Sequence, residues 1–181
     1  MGLTRSPGRW IRAAVCSLSI ALLAGACASS ESSDSNKALP RKSREESLAW
    51  AKSYTATMAR HADVTIGGKY GPHTRFENCI GRNGEVADDG RYTLAYTVYA
   101  QLPGKEHAAA LRRLRTALEK DDGAKVTSYQ EQPQSLLFGR SEERDGKAMD
   151  LVVGSAGPSD TLRLSVRTPC FLPPGARQQR F

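Results

Sequence analysis

The sequence predicts an α+β domain of two layers, an antiparallel sheet of about six strands with two amphipathic helices packed on one face. Three observations predict it. Two stretches carry apolar residues at helical spacing, six shorter ones have strand character, and the reversals between neighbouring strands are short and rich in turn residues. The order reads α-ββ-α-ββββ. Strands adjacent in sequence and joined by short turns pair antiparallel, and two helices with one apolar stripe each hide those stripes on a single sheet face.

Ser43 opens the first helix as an N-cap, with Glu46 three places on completing a capping box, and the helix runs to about His61. At 100° per residue, Leu48, Trp50, Ala51, Tyr54, Thr55, Met58, His61 and Ala62 share one side, against Lys52, Ser53, Thr57 and Arg60 on the other. Thr74 to Ile80 is a short strand. Asn83-Gly84 and Asp89-Gly90 punctuate the connection to Tyr92–Leu102, where Tyr92, Leu94, Tyr96, Val98, Ala100 and Leu102 alternate onto one face. The second helix, 105–120, aligns His107, Ala110, Leu111, Leu114, Ala117 and Leu118 opposite Arg112, Arg113, Arg115, Glu119 and Lys120, and Asp121-Asp122-Gly123 ends it. Four strands follow: Lys125–Glu131, Ser135–Glu142, Lys147–Gly154 and Thr161–Thr168. Asp145-Gly146 and Gly157-Pro158-Ser159-Asp160 are turns between them, and Pro169 stops the last.

Ahead of the domain, Arg5, Arg9 and Arg12 precede 14 uncharged residues, Ala13 to Ala26, and Cys27 follows the small residues Ala24-Gly25-Ala26. This is the layout of an export signal, too short to span hydrocarbon, which needs about 20 apolar residues. No adjacent arginine pair marks the twin-arginine route. Residues 5–27 resemble the signal peptide and lipobox of bacterial lipoproteins, with Ala24 where the family usually has Leu and Leu23 one place further back. The resemblance implies cleavage before Cys27, a diacylglyceryl group on its sulfur and a cell-membrane anchor on the extracytoplasmic face. The domain is similar in plan to small actinobacterial lipoproteins, which implies an address and no activity. The expected organisation is a signal peptide over 1–26, lipidated cysteine and tether over 27–43, the globular domain over 44–175 and a loose basic tail over 176–181. Residues 28–43, polar and without aromatic or β-branched side chains, have a flexible-chain reach of roughly 20–24 Å.

Four cysteines sort by position. Cys16 leaves with the leader, Cys27 takes the lipid, and Cys79 and Cys170 remain as a disulfide pair in an oxidising compartment. Closing the loop of about 90 residues between them contributes roughly 4–5 kcal/mol in the chain-entropy model. Neither belongs to a Cys-x-x-Cys redox motif. The whole chain carries +7, but removal of the leader takes three arginines and no carboxylate, leaving 23 basic against 19 acidic residues. The basic residues form no block, so nucleic acid is not an expected partner; an envelope protein, an anionic polymer or anionic lipid is.

No catalytic constellation stands out. His61 and His107 fall on inner helix faces and His73 in a loop, none at metal-ligand spacing, so no metal or cofactor is expected. Gly67-Gly68-Lys69-Tyr70-Gly71-Pro72 lacks phosphate-loop spacing and reads as a linker whose Tyr70 is placed to cover a pocket. Asp88-Asp89-Gly90 reads as a turn and not a calcium loop. Gly154-Ser155-Ala156-Gly157 misses the nucleophile-elbow spacing. The expected function is therefore a membrane-anchored, non-enzymatic binding or accessory module of the envelope. The alternative is a carrier or sensor of a small apolar ligand between helices and sheet, lined by Tyr54, Met58, Leu114 and Leu118; a hydrolase is a third class.

Overall fold

A computed structural model describes residues 37–120, 124–131, 136–143, 147–156 and 160–181. The leader, Cys27, most of the tether, and the turns at 121–123, 145–146 and 157–159 lie outside the described residues. The elements follow the expected order: α1 (Arg44–Ala62), β1 (His73–Asn78), β2 (Tyr92–Gln101), α2 (His107–Lys120), β3 (Lys125–Gln130), β4 (Leu136–Glu143), β5 (Lys147–Ala156) and β6 (Thr161–Arg167). A single turn of 3₁₀ helix, Gly104–Glu106, leads into α2 behind Pro103.

All six strands form one antiparallel sheet in the order β1-β2-β6-β5-β4-β3. The hairpin β1-β2 and the meander β3 to β6 meet where β2 pairs β6, from Ala95 opposite Arg167 to Gln101 opposite Thr161. Strand alternation then sends Leu94, Tyr96, Val98 and Ala100 of β2, and Leu162, Leu164 and Val166 of β6, into the core under the helices. In β3 a bulge between Val126 and Ser128 adds one residue, which lets both Val126 and Tyr129 face the core despite their odd separation.

The capping box of α1 is present: Ser43 Oγ accepts from Glu46 N at 3.1 Å and Glu46 Oε2 accepts from Ser43 N at 2.8 Å. These bonds hold the Glu46 carboxyl below its usual range. The buried stripe of α1 is Ser47, Ala51, Thr55, Met58, Ala59 and Ala62, rotated from the expected one. Leu48, Trp50 and Tyr54 pack at its half-buried shoulder, with Trp50 stacked on Tyr54 at 5.4 Å. Ser47 enters the core because its hydroxyl donates to Arg44 O and accepts from Tyr92 Oη. In α2 the apolar stripe falls as expected, but Arg113 leaves the polar face and donates to Ala62 O at 3.1 and 2.7 Å, closing the C-terminus of α1.

Strand β1 ends at Asn78, two residues early, because Cys79 turns to bond Cys170 beyond β6, with Cα atoms 6.0 Å apart. Ile80 forms an isolated bridge with Val86 instead. The tail is not loose. Gln178 accepts from Leu39 N and donates to Lys37 O, both at 2.9 Å; Arg41 donates to Ala176 O at 2.7 Å; Gln179 N donates to Asp89 at 2.9 Å. At the centre lies Arg91, its side chain 0% exposed, forked onto Asp89, bonded to Gln179 O, and 4.3 Å from the Phe181 ring. Polar tail residues stay put because Gln179 bonds both members of this buried ion pair, although Arg91 Nη1 is left without a partner. The tether also docks, since Lys42 N donates to Leu172 O and Leu172 N to Pro40 O, so residues 37–42 belong to the domain.

Reducing the disulfide, or the Cys79→Ser variant, is expected to cost roughly 4–5 kcal/mol, read as a fall in the denaturation midpoint relative to the oxidised protein. The Arg91 hydrogen bonds hold the Asp89 carboxyl far below the ordinary carboxylate range. Its stabilisation is therefore complete above the unfolded-state value near pH ~4 and drains away as the pH falls below it. Asp89→Asn, which leaves Arg91 buried and unpaired, is expected to cost about 3 kcal/mol at neutral pH and to flatten the acid limb of a stability-against-pH curve.

Candidate functional site

Both helices cover the same face of the sheet, so the residues of β2 and β6 that alternate away from the core form the opposite, open face. Along β2 these are Thr93, Ala95, Thr97, Tyr99 and Gln101, all half-buried or exposed; along β6 they are Thr161, Arg163, Ser165 and Arg167. The face is polar at its centre. Thr97 Oγ1 and Ser165 Oγ are 2.8 Å apart, and Glu77 of β1 accepts from Arg75 at 2.9 Å and from Arg167 at 2.7 Å.

At the end of β2 farthest from the disulfide, the segment between α1 and β1 folds across this face. Ile66 bridges Ala100 and Gly67 N donates to Tyr99 O at 2.8 Å. Gly67 and Gly68 sit at φ 146° and 111°, a region that side-chain-bearing residues rarely adopt, and there the chain turns to bring Tyr70 over Tyr99 with ring centres 5.3 Å apart. His73 meets Tyr99 edge-on at 5.9 Å. The result is a cleft of about 100 Å³ lined by Gly67, Gly68, Lys69, Tyr70, Tyr99, Gln101, Asp160 and Thr161. Arg163, outside the lining, is paired in register with Tyr99 on the same sheet face, and its Nε is buried without a hydrogen-bond partner. Opposite Arg163 on its other side stands Gly154, which presents no side chain.

The cleft combines an aromatic wall, one cation, an amide, a hydroxyl and one carboxylate, with the Arg163 guanidinium beside Tyr99. Such a set suits a small anionic or hydroxyl-rich group held by stacking and hydrogen bonds. In the sequence this turn reads as a linker, with Tyr70 alone as a cover; Tyr99, Gln101 and Asp160 were not legible beside it, because only the β2-β6 register brings them there.

The residues expected to line an apolar ligand belong to the core. Met58, Leu114 and Leu118 are 0% exposed and packed in the core cluster, with Tyr54 against its edge. Helix and sheet close on each other there, and the side chains expected to line a ligand are the core itself. His107 is equally enclosed: its Nδ1 lies 2.7 Å from Ser155 Oγ and its Nε2 2.9 Å from Leu102 O. With Nε2–H donating to the carbonyl, Nδ1 accepts the Ser155 hydroxyl proton, and the pair pins the first turn of α2 to β5. The sequence placed His107 on an inner face but gave no sign of Ser155 as its partner. Among the described residues no group of three His, Cys, Asp or Glu side chains is placed to hold a metal ion, and no helix is long and apolar enough to cross a membrane. No family model, curated protein or solved structure matches the chain.

Leu114→Ala is expected to destabilise the fold by about 3 kcal/mol, the cost of a cavity in a closed core, measured by denaturant titration. A pre-existing ligand chamber would show a much smaller loss.

Proposed function

We propose that this chain is an extracytoplasmic lipoprotein anchored through lipid on Cys27, whose domain is a non-enzymatic binding module of the cell envelope. The observation that carries this reading is the Cys79–Cys170 bond. A disulfide closing most of a domain persists in an oxidising compartment, which export through the leader supplies. It also consumes two of the three cysteines that follow the leader, leaving Cys27 for the anchor. The module binds a segment of anionic envelope polymer on its open sheet face, in the cleft between Tyr70 and Tyr99. Lys69 in the cleft and Arg163 beside Tyr99 meet its charge, and Gln101, Asp160 and Thr161 meet its hydroxyl groups. The closed core around Met58 and Leu114 favours this reading over carriage of an apolar ligand.

Mass spectrometry of protein extracted from membranes is expected to find a diacylglyceryl-modified Cys27 at the N-terminus, and Cys27→Ala to be left unprocessed or released. An unmodified secreted product contradicts the anchor. Binding of polygalacturonate, a soluble anionic glycan, is expected to weaken about tenfold in Arg163→Met and in Tyr99→Ala, measured by calorimetry against the unchanged fold.

A further inference from the structure

Three segments distant in sequence converge at the disulfide end of the sheet: residues 37–42, the loop 79–91 and the tail 171–181. They are joined by the Lys42–Leu172, Leu39–Gln178 and Gln179–Asp89 hydrogen bonds. Together they hold seven Lys and Arg residues and three carboxylates. Their surplus of four equals the net charge of the whole chain after the leader, so the rest of that chain is neutral. Lys37, Arg41, Arg82, Arg177 and Arg180 are exposed. Of the carboxylates, Asp89 is bound by Arg91, Glu85 accepts from Asn83, and Asp88 is exposed. Arg41 donates to Ala176 O, and on the outer side of α2 Arg112 pairs with Glu131, Arg115 with Glu119, and Arg113 donates to Ala62 O.

The same end carries two of the three large apolar side chains exposed among the described residues. Ile80 is 62% and Val86 50% exposed, and the two face each other across one β-bridge with Arg82 in the turn between them. Such a pair rimmed by cations fits the boundary between lipid headgroups and acyl chains.

The chain also enters the domain here. Ten residue steps separate Cys27 from Lys37, at most about 35 Å when fully extended. Strand β2 alone, from Tyr92 at this end to Gln101 beside the cleft, spans roughly 30 Å. A lipid on Cys27 therefore keeps the membrane within about 35 Å of the disulfide end, where the chain enters the domain.

We infer that this end is a docking surface for an anionic lipid leaflet: Ile80 and Val86 enter the headgroup layer, while Lys37, Arg82, Arg177 and Arg180 contact lipid phosphates. The cleft is then presented away from the membrane. The inference rests on the lipid-anchored reading for its orientation, and its test uses a chain that cannot carry the lipid.

Residues 37–181 contain the described core and both bonded cysteines, within a compact unit that begins at Ser33. The chain 27–181 with Cys27→Ser is cosedimented with vesicles of equal parts phosphatidylglycerol and phosphatidylcholine, and with pure phosphatidylcholine vesicles. Binding is expected to the anionic vesicles at low salt and to fade at high salt. It is expected to drop by more than about tenfold in Arg82→Glu/Arg180→Glu and in Ile80→Ser/Val86→Ser. Lys105→Glu, at the cleft end, is expected to leave it unchanged. Circular dichroism and an intact disulfide establish that each variant folds. Equal partition to both vesicles, no binding at all, or anionic binding indifferent to both double variants overturns the docking surface. None of these results bears on whether Cys27 is acylated in the intact protein, which mass spectrometry decides separately.

Discussion

The pairing of β2 with β6 is the constraint on which the remaining geometry depends. These two strands are separated in the chain by α2 and three other strands, yet they lie side by side at the middle of the sheet. Because they are central, each contributes a full row of apolar residues to the core, and the two helices have one continuous surface to cover. Their register also fixes what stands opposite the core. It sets Arg163 beside Tyr99, Ser165 beside Thr97 and Arg167 beside Ala95, so the open face is polar because the covered face is apolar. A slip of one residue exchanges the two faces, which the core does not permit.

The same pairing brings the ends of β1 and β6 close enough for the Cys79–Cys170 bond. The bond closes a loop that includes nearly the whole domain, but it does not act alone at that end. Arg91 and Asp89 form a buried ion pair, and each further hydrogen bond to its members offsets part of their desolvation cost, although Arg91 Nη1 is left without one. Gln179 supplies a carbonyl to one member and an N–H to the other. Tail, tether and hairpin loop are thereby fastened around one charged centre, and a segment with no apolar periodicity becomes ordered.

The molecule has two dissimilar ends along β2. One gathers the disulfide, the entering chain, the net positive charge and the exposed Ile80 and Val86. The other carries the glycine turn, the Tyr70–Tyr99 pair and the cleft. The core between them is closed and serves to hold the two ends apart at a fixed distance.

Element type and order were determined by the sequence alone, because they follow from local periodicity, capping and turn chemistry; the capping box of α1 and the apolar stripe of α2 are the clearest cases. The pairing of Cys79 with Cys170 was equally legible by elimination among four cysteines. Strand order, the rotation of the α1 stripe toward Ser47 and Ala59, the docking of the tail and the membership of the cleft were decided by tertiary structure. Each depends on contacts between residues far apart in the chain: Tyr92 with Ser47, Gln179 with Arg91, Tyr99 with Arg163, His107 with Ser155. Periodicity reports which side of an element avoids water. It carries no record of which polar partner, brought in from another strand, makes a buried hydroxyl, guanidinium or imidazole tolerable there.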